Sequence, residues 1–158
     1  MDATQAVEQS ANQWEKIAEV GVDSGQLFLV DPAYLNMWTD EKYVDLRQYR
    51  HTVTGEILEF RKDFPHYEAV IERHGLSMNQ LNESGEWEKV EQPQPPGMNY
   101  NAVCRATNSK AGCGQVDLGA AFETGWGDGS YPVLVRRNAE GRIMQVMIDF
   151  DDGDEVPA

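Results

Sequence analysis

The sequence predicts an α+β fold, in which a mainly antiparallel β-sheet system carries a few helices on one face or at one end. Helix-like periodicity is confined to three segments in the first half of the chain, at residues 4–18, 39–48 and 65–74. Strand-like segments separated by turn residues then follow one another from residue 101 to residue 150. Because strands and helices are segregated rather than alternating, the pattern favours α+β over α/β architecture.

The N-terminal part predicts a helix followed by a hairpin. Apolar residues recur at helical spacing over residues 4–18, with Thr4 as the cap. From about Val20 the pattern becomes strand-like, and Asp23-Ser24-Gly25 interrupts it as a turn in which glycine supplies a positive φ. Asp31-Pro32 is expected to end the second strand, because proline has no N–H to donate to a sheet.

The rest of the chain predicts helices first and strands afterwards. Between residues 36 and 98 we expect, in order, a helix over 39–48 capped by Thr39, a strand pair or one bent strand over 52–60, a helix from Pro65 to Gly75, a short strand over 86–91 and a proline-rich connection over 92–97. Further on, strands are expected over 101–107, 115–124, 131–137 and 142–150, with residues 138–141 as a hairpin loop.

These elements are interpreted as a single domain. Residues 1–150 form it, with strands from 20–31 and from 101–150 in one sheet system, because the strand block alone leaves an apolar face uncovered. Residues 151–158, which carry most of the densest acidic run, are interpreted as an acidic flexible tail.

The chain is strongly acidic, and this limits its partners. Its 158 residues carry 27 acidic and 13 basic side chains, giving a formal net charge of −14 and a pI near 4.4. Such a charge repels nucleic-acid phosphates, so direct nucleic-acid binding is not expected. Two interpretations stay open: the charge serves solubility, or it attracts a basic protein partner.

The sequence shows no targeting pattern. Residues 1–5 have neither the basic nor the apolar region of a secretory signal, and no apolar run approaches the roughly 18 residues of a membrane-spanning helix. A cytoplasmic protein without a membrane partner is therefore expected. Cys104 is expected to face inward and Cys113, between two glycines, to be accessible; reduced thiols are the default, and one disulfide between them is the alternative.

The most unusual stretch is residues 125–133, where three glycines at alternate positions bracket a Trp and an Asp before an apolar strand. Glycine at this density marks backbone with positive φ or close approach by another group. Loops held on a rigid sheet are where binding sites concentrate, so a functional site is predicted here. Its candidate ligand- or partner-binding residues are Trp126, Asp128, Tyr131, Asp23 and Asp31.

Each candidate residue also has a structural interpretation. Asp beside Gly, Ser or Pro is a common turn signal, and Trp126 and Tyr131 are either a binding platform or lids over the end of a sheet. Gathered carboxylates also suit a divalent cation or acid–base catalysis. No cofactor, metal ligand or catalytic residue is assigned, because HExxH, CxxC, GxSxG and P-loop patterns are absent.

Several segments resemble a known family. They are residues 22–26 and 30–34, which are similar to its N-terminal signature, and residues 101–107, 125–133 and 138–143, which are similar to its C-terminal half. The family consists of uncharacterised bacterial and bacteriophage proteins, catalogued as a domain of unknown function. The resemblance covers residues 20–35 and 99–150 and implies a compact, mostly β fold in the cytoplasm, with no catalytic residues to carry over.

The leading functional hypothesis is therefore a non-catalytic interaction protein of phage or bacterial origin that acts on a basic protein partner. The alternative is a hydrolase-type enzyme, or a small-ligand or metal-binding protein, with its site at the turn of residues 125–129. The sequence leaves open whether the chain is an enzyme and in which oligomeric state it exists.

Overall fold

The computed structural model describes residues 13–151, which are mostly antiparallel β-sheet with few helices. This confirms a broadly α+β fold, whereas the packing of helices on one face or end stays a prediction. The chain divides into two compact units, Met1–Leu27 with Thr124–Ala158 and Phe28–Glu123. The single domain over residues 1–150 stays a prediction, and the predicted tail lies, beyond Asp151, outside the described residues.

Most of the elements are short. In chain order the strands are β1 (Glu15–Val22), β2 (Gln26–Leu29), β3 (Trp38–Thr39), β4 (Gln48–His51), β5 (Ile57–Glu59), β6 (Val70–Ile71), β7 (Leu76–Ser77), β8 (Trp87–Lys89), β9 (Met98–Asn99), β10 (Cys113–Val116), β11 (Gly119–Glu123), β12 (Gly129–Arg137) and β13 (Ile143–Ile148). The helices are α1 (Met78–Glu83) and α2 (Tyr100–Thr107), and a 3-10 helix covers Pro32–Met37.

The first unit is built on one antiparallel sheet with the strand order β1–β12–β13. The central strand β12 buries Tyr131, Leu134 and Val135. The predicted hairpin loop at residues 138–141 is confirmed, since Gly141 has a φ of +79° and its N–H donates to Asn138 O at 2.9 Å.

The predicted helix over residues 4–18 is wrong in its described part. From Glu15 onwards the chain is strand β1, which pairs antiparallel with β12 and has a bulge at Ile17. Ile17 is half-exposed and Ala18 is exposed, so these two apolar residues of the predicted helix do not line a buried face. Backbone pairing along β12 outweighs the local periodicity, because the ladder satisfies every second N–H and C=O of this segment. Residues 4–12 lie outside the described residues.

The turn at residues 23–25 is confirmed, but the hairpin is not. Gly25 has a φ of +64°, as its position in the turn requires. Its flanking strands do not pair with each other: β1 pairs with β12, and β2 belongs to the sheet ordered β10–β11–β2. The turn therefore leads the chain out of one sheet and into another.

The second unit contains two hydrophobic clusters. The first surrounds the antiparallel sheet β5–β4–β8 and helix α1, and the second lies between α2 and the hairpin β10–β11. The buried members of the first are Tyr49, Leu58, Phe64, Ile71, Met78, Leu81 and Trp87. Those of the second are Ala102, Val103, Ala106, Val116 and Ala121.

The predicted helix over residues 39–48 is also wrong, since residues 40–47 have no regular secondary structure. Side chains of α2 hold this segment instead. The Val44 N–H donates to Asn101 Oδ1 at 2.8 Å, and Asn101 Nδ2 donates to Lys42 O at 3.1 Å. The Arg105 guanidinium donates to Val44 O at 3.0 Å. These bonds satisfy backbone groups that a helix would otherwise use.

The predicted helix from Pro65 to Gly75 is replaced by the small hairpin β6–β7. Gly75, with a φ of +66°, lies in its turn rather than at a helix end. Helix α1 begins just afterwards, because Ser77 and Gln80 form a capping box that satisfies two N–H groups. Tyr67, the aromatic residue of the predicted helix, packs against the first cluster.

The predicted strand over residues 101–107 is helix α2. Asn99 caps it by accepting the Ala102 N–H at 2.9 Å, and its small buried face packs on β10 and β11. Strands occur within 86–91, 131–137 and 142–150 as predicted, and the connection over 92–97 has no regular secondary structure. The predicted strand over 115–124 is instead the end of β10, a turn and β11, which pair as a hairpin. Residues 52–60 contain a turn and the short strand β5 rather than a strand pair or one bent strand.

Candidate functional site: the Trp126 turn

Residues 124–129 form a turn, which we call the Trp126 turn, that leads directly into β12. Gly125 and Gly127 have φ values of +74° and +89°. Other residues adopt this backbone region only under strain, so the alternating glycines are required by the path of the chain. The sequence prediction that this backbone is unusual is therefore correct.

Thr124 fixes the turn from the inside. It is buried, and its hydroxyl lies 2.6 Å from Gly127 O and 3.2 Å from Gly25 O. The Thr124 N–H also donates to Gly25 O, at 3.0 Å. One side chain thus ties the two ends of the Trp126 turn together and joins them to the turn at residues 23–25.

Asp128 makes the second connection between the two turns. Its Oδ1 accepts the Gly25 N–H at 2.8 Å, across 103 residues of sequence. Asp128 and Asp23 are both exposed, and Asp23 lies two residues before this contact. The two predicted segments are therefore adjacent, and one role of Asp128 is structural. That structural bond leaves the side chain at the surface of the protein.

Tyr131, in strand β12, also holds the Trp126 turn. It is buried, its hydroxyl donates to Gly127 O at 2.8 Å, and its ring packs edge-on against Phe150 with centroids 5.2 Å apart. Of the two interpretations of this residue, the geometry matches a lid within the fold. Tyr131 therefore has a structural role in holding the turn, and its predicted role in binding stays a prediction.

Trp126 has the opposite environment. Its side chain is 71% exposed, while its backbone N–H donates to Thr124 O at 2.8 Å. The backbone is thus fixed and the indole ring is presented to solvent. An exposed tryptophan on a fixed turn is the type of side chain that dominates many protein–protein interfaces.

Asp31 belongs to the second unit. Its carboxylate accepts the Ala33 N–H at 2.8 Å and caps the 3-10 helix that begins at Pro32. An Asp at this position satisfies an N–H that has no partner within the helix. The structure therefore gives Asp31 a local structural role.

One family model matches most of the chain. It is described as "Protein of unknown function (DUF4241)" and matches residues 6–148. The chain belongs to this family. The match includes residues of both units and the whole of the Trp126 turn. No curated protein and no solved structure matches the chain.

In this DUF4241 chain the structure also brings together Trp87 and two histidines that lie far from one another in the sequence. Trp87 is only 8% exposed and packs between His51 and His74, which meet its ring edge-on at centroid distances of 5.1 and 5.5 Å. In the sequence His51 lies 36 residues and His74 lies 13 residues before Trp87, so no local pattern predicts that the three side chains meet.

The polar partners of these histidines are structural. His51 Nδ1 accepts the backbone N–H groups of Val53 and Thr54, both at 3.2 Å. His74 Nε2 lies 3.1 Å from Glu56 Oε1, which also accepts from Arg73 at 2.7 Å. The hydrogen bond from Arg73, assisted by His74, lowers the pKa of Glu56 below its usual value. We call His51, His74 and the Glu56–Arg73 pair that bonds to His74 the polar border of Trp87, since the two histidines pack against its buried ring.

The described part of the chain also shows what it lacks in metal ligands and membrane-spanning helices. Within residues 13–151, no group of three His, Cys, Asp or Glu side chains is placed to hold a metal ion. None of the helices in that range has the length and apolar character needed to cross a membrane. Cys113 is exposed and Cys104 half-buried, and the structure has no disulfide between them.

Proposed function

We propose that this chain is a non-catalytic interaction protein, and that the Trp126 turn binds a basic protein partner. The observation that carries the proposal is the 71% exposure of Trp126 on a turn whose backbone is held by hydrogen bonds. A bacterial or bacteriophage origin and a cytoplasmic setting are parts of the same proposal.

The rigidity of the turn favours binding. Thr124 and Asp128 fix its backbone through bonds to Gly25 and Gly127. A ring held on such a backbone loses less conformational entropy when a partner covers it, so more of the contact free energy appears as affinity. Trp is also the side chain most enriched among residues that dominate interface energetics.

The charge of the surroundings selects a basic partner. Asp128, which makes the contact between the two turns, and Asp23, two residues before its partner Gly25, are both exposed, and the whole chain carries a net charge of −14. An Arg or Lys side chain that stacks on the indole gains a cation–π contact, and neighbouring carboxylates strengthen it. The net charge additionally accelerates encounter with a positively charged protein at low salt.

The test is a pull-down from a bacterial lysate with the immobilised chain at low and at high salt. We expect a basic protein to be retained at low salt and released at high salt, because screening weakens the attraction. Trp126→Ala should abolish retention. The matched control is Val53→Ala, since Val53 is an apolar side chain on another turn and is 80% exposed. Retention of nothing at low salt, or equal retention by Trp126→Ala, contradicts the proposal.

A thermal-shift series with Ca²⁺, Mg²⁺, Mn²⁺ and Zn²⁺ separates this proposal from a metal site at the same turn. A ligand at a hundredfold excess over its dissociation constant stabilises the native state by about 2.7 kcal/mol. We expect no shift. A shift that disappears in Asp128→Asn would favour the metal-binding alternative instead.

A further inference from the structure

Among the residues that the structure describes, strand β13 is an edge of the sheet in the first unit, and no charged residue or proline within the strand protects that edge. The strand Ile143–Ile148 carries no charged residue, no proline and no glycine. Ile143, Met144 and Val146 are exposed, Val146 to 62%. Natural proteins usually guard an edge strand with charge, bulges or proline, because an open edge pairs readily with another strand.

The opposite edge of the same sheet is guarded. Strand β1 carries Glu15, Lys16 and Glu19, and the last two form an ion pair of 2.7 Å. A bulge at Ile17 interrupts its regular pairing. The contrast between two edges of one sheet indicates that β13 is open for a specific contact. The one irregularity of β13 is a register shift at Met144, which leaves the segment after it regular.

The backbone of that regular segment offers hydrogen-bonding groups on its outer side. The Asp149 N–H donates to Pro132 O at 3.1 Å, and in an antiparallel pair such bonds fall on every second residue. Met147 is therefore bonded to β12 as well. By the same alternation, the N–H and C=O groups of Val146 and Ile148 point away from β12.

We propose that two copies of this chain associate through β13, with the two edge strands antiparallel about a two-fold axis at Met147. Val146 of each copy then lies opposite Ile148 of the second copy, and their outward groups form the new ladder. This register is self-complementary, as a two-fold interface requires. The product is a continuous six-stranded antiparallel sheet.

The charges at the ends of β13 favour a second copy in this orientation. Arg142, which also lies 3.5 Å from the exposed carboxylate of Glu140, precedes the strand, and Asp149 and Asp151 follow it. Antiparallel pairing brings the basic end of each copy to the acidic end of the second copy, whereas parallel pairing would place like charges together. The net charge of −14 on each copy opposes association, so salt should strengthen the dimer by screening it.

The experiment is light scattering on the purified full chain across protein concentrations up to about 1 mM, which detects dissociation constants in the weak range. We expect the measured mass to rise with protein concentration from 17.8 kDa towards twice that value. In high salt this rise should occur at a lower protein concentration. Val146→Lys places a charge on the open edge and should weaken the dimer at least about tenfold. Val146→Pro, which removes an outward N–H and no bond to β12, is the second variant.

Ile17→Lys is the matched control, since Ile17 is a half-exposed apolar residue on the guarded edge, and it should dimerise like the natural sequence. Trp126→Ala should also leave the dimer unchanged, which separates this proposal from the function of the Trp126 turn. A chain that stays at 17.8 kDa under all these conditions overturns the proposal. So does a dimer that survives both Val146 substitutions, because it must then use another surface.

Discussion

Trp87 and Trp126 show two opposite uses of one side chain in this molecule. Trp87 is 8% exposed, with His51 and His74 packed edge-on against its ring. Trp126 is 71% exposed, and its hydrogen bond to Thr124 holds the backbone rather than the ring. Where the ring is held, the residue stabilises the fold. Where only the backbone is held, the ring is left free for another molecule.

The two sites also differ in where their supporting residues come from. The Trp126 turn is held by hydrogen bonds within the turn, by Tyr131 just after it, and by Gly25 in a second segment that is itself marked as a turn in the sequence. The contacts of Trp87 come from β4 and from the turn between β6 and β7. A site of the first kind leaves a dense signal in the sequence, and a site of the second kind does not.

The largest predicted effect is the loss of stability when the buried ring of Trp87 is removed, which tests the contrast with Trp126. Trp87→Ala removes a large side chain from the first hydrophobic cluster and should lower the free energy of unfolding by about 3–5 kcal/mol. Trp126→Ala removes an exposed ring and should change it by no more than about 0.5 kcal/mol. Chemical denaturation of the two variants measures both values.

A small loss of unfolding free energy in Trp87→Ala would mean that neighbouring side chains fill the vacated space. The burial of Trp87 would then overstate its contribution to stability. A loss above about 2 kcal/mol in Trp126→Ala would show that the exposed ring supports the fold. It would then no longer be free to serve as a contact residue, and the proposed function would lose its main support.

A smaller effect is expected at the bonds that hold the Trp126 turn. Thr124→Val removes the buried hydroxyl, but Gly127 O still accepts from Tyr131 and Gly25 O from the backbone N–H of residue 124. We therefore expect a loss of about 1–2 kcal/mol. Asp128→Asn keeps an oxygen to accept the Gly25 N–H and should cost less than about 0.5 kcal/mol.

Denaturation and the pull-down together separate the two roles of Asp128. If Asp128→Asn unfolds as easily as Thr124→Val, the charge of the carboxylate is needed for the fold. If it keeps its stability and loses the basic partner at low salt, the charge is needed for binding. Full stability with full retention would assign binding to Trp126 alone.

Glycine chemistry made the turns predictable from sequence. Gly25, Gly127 and Gly141 all have positive φ values, and each lies in a segment for which a turn was predicted. The requirement is local, because only the backbone of that residue determines which side chain fits. The contact between Asp128 and Gly25 joins two such segments, and the local turn signal of Asp31 beside Pro32 matches its separate role as a cap.

The helices were not predictable for the converse reason. Residues 40–47 are held by Asn101 and Arg105, about 60 residues away, and no periodicity in either segment reveals that contact. The strand-like sequence at 101–107 is helical because Asn99 caps it and its small side chains fit against β10 and β11. Tertiary contacts of this kind override weak local propensity in short elements.

The smallest predicted effect is a pH dependence at the polar border of Trp87. The pKa of Glu56 lies below its usual value of 4.5, chiefly because Arg73 donates to it. A lowered pKa in the folded state contributes stability above the unfolded value, and this stability is lost as pH falls through the folded value. Arg73→Gln should therefore lower the free energy of unfolding at pH 7 slightly, by well under about 1 kcal/mol for such exposed groups. It should also reduce the fall of that free energy below pH 4.5.

Arg142→Gln, which alters an exposed ion pair with Glu140 in the other unit, is the control and should leave the pH dependence of the unfolding free energy unchanged. Denaturation curves at pH 7 and at about pH 3 give the comparison. An unchanged slope in Arg73→Gln would show that the ion pair does not couple protonation to folding, and the border of Trp87 would then act through packing alone.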